Sequence, residues 1–383
     1  MKNNRKIKVL FTGGGSGGHI FPIIAVVREL RKLSSEKRKG KEFEFSYLGP
    51  RDEFANILLS QEGLKIKHIL AGKLRRYFTV KSIFQNLIDI LFKTPIGIFQ
   101  AFFHIFFSAP DVIFSEGGFG SLSAVIGGWL LGVPIFLQES DAVPGLANRI
   151  LAKFSTEIFI SFPKTPYFKK RMILTGNPIR REILNASKEE AKQFFKSTMK
   201  KPVIFIMGGS QGSQRINDEI LEILADLLKD FELIHQCGER NIKQVKAEAR
   251  VVMPEYLAKY YHAFGFLKEE ELKKAYAGSD LVVSRSGAGS IFEIAAYAKP
   301  SILIPLPESA QDHQVKNAYA YAEKGAAMIL EEQNFTSRFF LEKLKYLFSH
   351  PQELEKMKRA AKEFSKPMAA KTIADYMATY LTK

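Results

Sequence analysis

The chain has 383 residues, 46% hydrophobic and 25% charged, which is enough for two ordinary cores and excludes a disordered or fibrous protein. A net charge of +16 calls for anionic partners, and the single cysteine, Cys237, excludes a disulfide framework. No zinc-finger or RNA-recognition signature accompanies the charge, so nucleic acid is not an expected partner.

The start, Met1-Lys-Asn-Asn-Arg5, leads directly into a predicted strand, so no signal peptide is read. No uninterrupted apolar run reaches the ~18 residues of a spanning helix. The nearest, 122–137, is broken by Gly127, Gly128, Gly132 and Pro134 and reads as a helix followed by a strand.

The first element is a strand through Val9–Phe11 that runs into Gly13, Gly14, Gly15, Ser16, Gly17, Gly18 and His19. Apolar residues then recur at Ile23, Val26, Val27, Leu30 and Leu33, a helical spacing opened by Pro22. Strand, glycine turn and helix N-terminus together form an anion site, because glycine lets backbone approach a phosphate and the helix end carries partial positive charge. Gly13-x-Gly15-x-x-Gly18 also fits the dinucleotide fingerprint, but the acid that should end the second strand is replaced by Gly49-Pro50-Arg51. A Walker loop is excluded, since His19 stands where lysine should follow Gly18.

Further strands are predicted at Phe43–Leu48, Ile66–Leu70, Val112–Ser115, Ile135–Gln138 and Ile158–Ser161, alternating with helices. Such a pattern implies a parallel sheet covered on both faces, with ligands at the carboxyl ends of its strands. Between Leu64 and Pro110 seven basic residues face one acid, Asp89, among many aromatics. The stretch Lys73–Phe92 therefore reads as a contact for an anionic membrane surface. The aromatics from Phe99 onward fit a membrane contact or a domain core equally. Glu116-Gly117-Gly118-Phe-Gly-Ser121 is a second glycine turn, expected beside the first, where Gly14, Gly15, Gly117 and Gly118 would hold a diphosphate. Tight strand-to-helix packing would explain the same glycines.

Thr175-Gly-Asn-Pro-Ile-Arg180 is a linker signal, and beyond it the pattern restarts. A strand from Val203 runs into Gly208-Gly209-Ser210-Gln211-Gly212, roughly 195 residues after the first turn. Two doubly wound α/β domains facing across a cleft follow: 1–177, 178–366, and a terminal helix 367–383 that could return to the first. Strand Asp280–Ser284 ends in Arg285-Ser-Gly-Ala288, with Glu293 placed in the first turn of the next helix. There its carboxylate can bond two ribose hydroxyls or merely complement the helix dipole. Strand Ser301–Pro305 delivers Gln314, which suits sugar hydroxyls, with Asn317 following.

Taken in order, Thr12–His19, Gly176–Arg180, Gly208–Gly212, Ser284–Ala288 with Glu293, and Asp312–Gln314 with Asn317 resemble the MurG family, GT-B glycosyltransferases of family 28. The resemblance spans the whole chain. It implies a metal-independent, inverting N-acetylglucosaminyltransferase that needs no cofactor. The donor would be UDP-N-acetylglucosamine and the acceptor the undecaprenyl-diphosphate-linked muramoyl-pentapeptide, lipid I, reached at the cytoplasmic face of the membrane. On matching positions it assigns donor contacts to Ser16, Gly17, Gly18, Arg180, Ser210, Leu267, Ala288, Gly289, Ser290, Ile291, Phe292, Glu293 and Gln314. Asp141 stands where some members have asparagine, and His313 where some have a second glutamine. His19 is the candidate general base, with a purely structural histidine as its competitor. A UDP-N-acetylglucosamine 2-epimerase shares the architecture and donor but has no use for a membrane-seeking stretch.

Overall fold

The computed structural model describes residues 6–14, 17–35, 42–73, 75, 79–163, 167–209 and 211–381. The chain forms two compact units, residues 1–180 with 367–383, and residues 181–366.

In the first unit the strands are β1 (Ile7–Thr12), β2 (Phe43–Gly49), β3 (Lys65–His68), β4 (Val112–Ser115), β5 (Ile135–Glu139), β6 (Glu157–Ile160) and β7 (Met172–Leu174). They pair in parallel in the order β3-β2-β1-β4-β5-β6-β7. The near-continuous apolar strands are explained by two cores. On one face Val9, Phe11, Phe114 and Phe136 pack with the helix Ile20–Ser35; on the other Leu10, Ile113 and Leu137 pack with Ala101, Ala124 and Leu151.

The second unit's strands are β8 (Val203–Met207), β9 (Glu232–Gln236), β10 (Tyr261–Phe264), β11 (Leu281–Ser284), β12 (Ser301–Leu303) and β13 (Ala327–Ile329). They too are all parallel, in the order β10-β9-β8-β11-β12-β13. Helix Pro351–Phe364 ends this unit, and helix Ala369–Tyr380 belongs to the first, where Ile373, Ala374 and Met377 are buried in the same core as the helix Ile20–Ser35.

Although it is no uninterrupted apolar run, the segment Lys81–Ser108 and not 122–137 comes nearest to spanning length: among the described residues it is one helical run, long and apolar enough to cross a membrane by length and composition. Asp89 and Lys93 interrupt its sequence and hid it. At Asp89–Lys93 the helix takes a π turn, with buried Asp89 bonded by Lys93 (2.6 Å) and Arg75 (2.8 Å). Gly97, Ala101 and Ile105 form the inner stripe, and Gly97 lies so close to the Leu70 carbonyl that a side chain there would collide with it. The outer stripe settles the aromatics beyond Phe99: Phe99, Phe106 and Phe107 are 65%, 59% and 78% exposed, so they are surface and not core.

Ile373→Ala removes a fully buried side chain from the contact with the helix Ile20–Ser35 and should destabilise the first unit by about 2–5 kcal/mol in urea unfolding.

Candidate active site

In each sheet the strand order reverses between the first strand of the unit and its fourth. The reversals fall between β1 and β4 and between β8 and β11. Successive helices leave such a point toward opposite faces, which opens a crevice at the carboxyl ends of the two strands. All four glycine turns read from the sequence sit at these two places.

In the first unit the turn after β1 passes Gly13 and Gly14 into a 3-10 turn, Gly17–His19, and then the helix Ile20–Ser35. Gly15 and Ser16 lie outside the described residues. Buried Tyr47 donates its hydroxyl to the Gly13 carbonyl at 2.6 Å, and the Pro50 ring packs against Gly14. These two residues, distant in sequence, hold the loop open. Gly18 is exposed, while Gly17 and His19 are partly exposed. Arg180 also belongs to this unit, its guanidinium 4.2 Å from the Phe21 ring centroid.

His19 Nδ1 is 3.0 Å from the Glu116 carbonyl oxygen, an atom that can only accept. The hydrogen bond therefore requires the proton on Nδ1 and places the basic lone pair of the neutral ring on Nε2. Nε2 comes within 3.2 Å of where a Cβ on Gly118 would stand, so the ring lies over the second turn and Gly118, at φ +75°, cannot be replaced without strain.

That second turn corrects one expectation. Gly117 N donates to Ser115 Oγ at 3.1 Å and Gly118 N to Asn148 Oδ1 at 3.0 Å, so both amides serve the turn itself. Asn148 also donates to Glu139 Oε2 at 2.8 Å, and Glu139 Oε1 accepts from Asp141 N at 2.9 Å. Glu139, Asn148 and Gly118 thus form a relay from β5 to the loop under His19. Burial, reinforced by the charge of Asp141, pushes the Glu139 carboxyl up to about 8.

In the second unit the turn after β8 (208–213) and the turn after β11 (285–287) are tied together. Arg285 Nη2 donates to Ser213 Oγ at 2.8 Å, while its Nη1 bonds the Ile304 carbonyl and pairs with Glu332. Ser210 lies outside the described residues. Gly209, Gly287 and Gly289 each face open space where a Cβ would be, whereas the first unit's turn glycines abut Pro50, Asn148 and His19. Gly209 is also required by its left-handed backbone, φ +87°, but Gly287 and Gly289 have no such reason among the described residues, so the room there suits a ligand approaching the backbone.

Helix Ala288–Ala296 begins after Gly287, and the amides of Ala288, Gly289 and Ser290, its first-turn donors, have no side-chain cap among the described residues. Ile291 N already donates to the Gly287 carbonyl, and Phe292 is buried with its ring against Phe364, so these two are not open donors. Glu293 lies in the second turn, not the first as the sequence suggested, because the helix starts three residues earlier. Its Oε2 accepts from the Tyr276 hydroxyl at 3.1 Å.

Leu267 N is engaged by Gln236 Oε1 at 3.0 Å, leaving its carbonyl as the backbone group for a base. Gln236 also donates to the Gly209 carbonyl at 3.1 Å, bracing the glycine turn. Gln314 spends its Oε1 on Leu306 N and its own carbonyl on Ser286 Oγ, so its side chain offers a donor end. Just before it Gln311 and Asp312 both hold left-handed backbone, with φ of 60° and 55°, a strain that gathers at binding sites.

Residues 9–160 match the glycosyltransferase family 28 N-terminal domain, and residues 203–373 match the glycosyltransferase family 28 C-terminal domain. The chain belongs to glycosyltransferase family 28. A Bacillus cereus member named UDP-N-acetylglucosamine–N-acetylmuramyl-(pentapeptide) pyrophosphoryl-undecaprenol N-acetylglucosamine transferase 2 is 36% identical over 377 residues, covering 97% of this chain and 99% of its own. A Clostridium tetani transferase of the same name, without the numeral, is 36% identical over 360 residues, 93% of this chain and 94% of its own.

Among solved structures, Acinetobacter baumannii MurG superimposes with a TM-score of 0.74 at 23% identity, covering 97% of this chain and 99% of that one. A UDP-GlcNAc 2-epimerase from Neisseria meningitidis, bound to UDP-GlcNAc, gives 0.64 at 16% identity over 98% and 100%. Both likenesses show the GT-B-like fold. Tyr47, Asn148 and Gln236 brace these turns although no local motif marks them, whereas Arg285 lies within a turn the sequence singled out. Only the place of the first three at strand ends or one turn into a helix could have flagged them.

Folded Glu139 keeps its proton from the ordinary carboxylate range up to about pH 8, where the unfolded chain has lost it, so folding stability falls as pH rises through that window. Melting curves should show wild type losing several degrees over this range, and Glu139→Gln losing less. Equal slopes would mean that Glu139 is ionised in the fold.

Proposed function

We infer that this protein transfers N-acetylglucosamine from UDP-N-acetylglucosamine to the 4-hydroxyl of the muramoyl sugar in undecaprenyl-diphosphate-linked muramoyl-pentapeptide, converting lipid I to lipid II. The observation that carries this is 36% identity over 97% of the chain to a transferase named for that reaction, joined to glycine turns at both switch points. The epimerase reading has more distant support: its likeness is of fold alone, at 16% identity.

The second unit is the donor side. The Ala288, Gly289 and Ser290 amides, beside the open glycines, receive the diphosphate. Glu293 holds the ribose, the Leu267 carbonyl the uracil, and the Gln314 amide a glucosamine hydroxyl. Ser210 contributes to the diphosphate. The first unit seats the acceptor, with its diphosphate at Gly14, Gly15 and the N-terminus of the helix Ile20–Ser35, while Ser16, Gly17, Gly18 and Arg180 add the donor contacts that the resemblance gives them.

The reaction is an inverting displacement. The acceptor hydroxyl oxygen bonds to the anomeric carbon as the bond to UDP breaks, and the hydroxyl proton passes to His19 Nε2, the nitrogen left basic by the hydrogen bond at Nδ1. The electron pair leaves with UDP, whose charge is met by helix-terminal amides.

The outer stripe of the long helical run supports a peripheral seat on the cytoplasmic face of the membrane. Ile83, Phe84, Leu87, Leu91 and Phe92 are exposed next to Lys73 and Lys81. Leu74, Arg76, Tyr77 and Phe78 lie outside the described residues. In flotation with anionic vesicles, Phe84→Glu with Leu87→Glu should lower binding by at least about tenfold, and unchanged binding would reject this face.

The activity is tested by transfer of labelled N-acetylglucosamine to a short-chain lipid I analogue; hydrolysis or epimerisation without transfer rejects it. His19→Ala should lower kcat by about 10²- to 10⁴-fold with donor affinity kept. Glu293→Ala should weaken donor binding by about 10- to 100-fold. Equal losses of donor affinity in both variants would overturn these separate roles.

A further inference from the structure

Glu116 directly follows β4, is 1% exposed and has no positively charged partner among the described residues. One carboxyl oxygen, Oε2, accepts from Ser140 Oγ at 3.3 Å; the other, Oε1, has no partner among the described residues. The β4–β5 register pairs Ser115 with Leu137, which makes Gln138 the next cross-strand neighbour of Glu116. Gln138 is fully buried and also carries one unpartnered atom, its Oε1, because its Nε2 is committed to Ser161 Oγ and the Glu139 carbonyl. Two orphan acceptors on adjacent strands are an expensive arrangement for a fold. A single proton between them removes the cost at both.

We propose that Glu116 is a neutral carboxylic acid whose Oε1–H donates to Gln138 Oε1, and that this proton keeps the turn beneath His19 free of fixed negative charge so that an anionic diphosphate can seat at the neighbouring turn after β1. Its role is positioning: its backbone carbonyl fixes the His19 tautomer while its side chain stays uncharged. The second half of the proposal rests on the reading of the first unit as the acceptor side. The titratable groups around Glu116 are His19 from the first turn, Glu139 on β5 and Asp141 just beyond it, with Arg149 facing Glu139 from the helix Leu146–Phe154. Burial pushes the Glu116 carboxyl well above its usual range, and the neighbouring Glu139 adds to the effect.

The proton is read by infrared difference spectroscopy at about pH 7, comparing wild type with Glu116→Gln, an isosteric change that keeps a donor for Gln138. One protonated-carboxyl C=O band should vanish in Glu116→Gln, and in Gln138→Leu that band should persist but move to higher frequency as its acceptor is lost. In transfer assays the wild-type KM for a short-chain lipid-diphosphate acceptor should climb, approaching about tenfold per pH unit, once Glu116 ionises, with the KM for UDP-N-acetylglucosamine flat. With Glu139 also changed to Gln, so that its own ionisation near pH 8 adds no charge there, the acceptor KM of Glu116→Gln should not climb. The proposal is overturned if no protonated-carboxyl band is lost, or if the acceptor KM of that double variant rises with pH as the wild type's does. Should no transfer occur in any of these proteins, the assigned reaction fails on its own, and the infrared comparison still decides where the proton is.

Discussion

The molecule depends on the reversal of strand order at the centre of each sheet. Because parallel strands are joined by right-handed crossovers, the chain can place helices on both faces only by turning outward from a central pair, β1 with β4 and β8 with β11. At that pair the connecting helices diverge, and backbone amides at the strand ends have no neighbouring element to meet. Glycine turns are what a sequence puts there when an anion is to take the vacant place.

The two units use this constraint differently. In the second, Gly209, Gly287 and Gly289 border empty space, and Arg285, Gln236 and Asn317 brace the turns from behind. It is a rigid cradle awaiting a phosphate. In the first, the protein fills the second turn itself, with Asn148 against Gly117 and His19 over Gly118. Here the architecture orients a histidine above two buried acids.

Much of this was legible in the sequence. Apolar strands ending in glycines placed β1, β4, β8 and β11, and the run 122–137 divided into a helix, Leu122–Leu130, and β5 as its glycines and proline implied. What escaped came from contacts between distant residues. The Tyr47 hydrogen bond to Gly13 and the Asn148 bond to Gly118 span 34 and 30 residues, and no local pattern announces them. The register of the helix carrying Glu293 was missed because Gly287 and Gly289, weak as helix signals, flank its first residue. Exposure of the Phe99–Phe107 face was invisible for a similar reason: only the inner stripe Gly97, Ala101 and Ile105 reveals which side is covered.

The central claim is that the glycine turns of the second unit receive the diphosphate of the nucleotide. A crystal structure with UDP-N-acetylglucosamine measures this directly. The account predicts the diphosphate within hydrogen-bond reach of the Ala288, Gly289 and Ser290 amides and the ribose hydroxyls on Glu293. A nucleotide lodged at the turn between β1 and His19, or away from both turns, would contradict it.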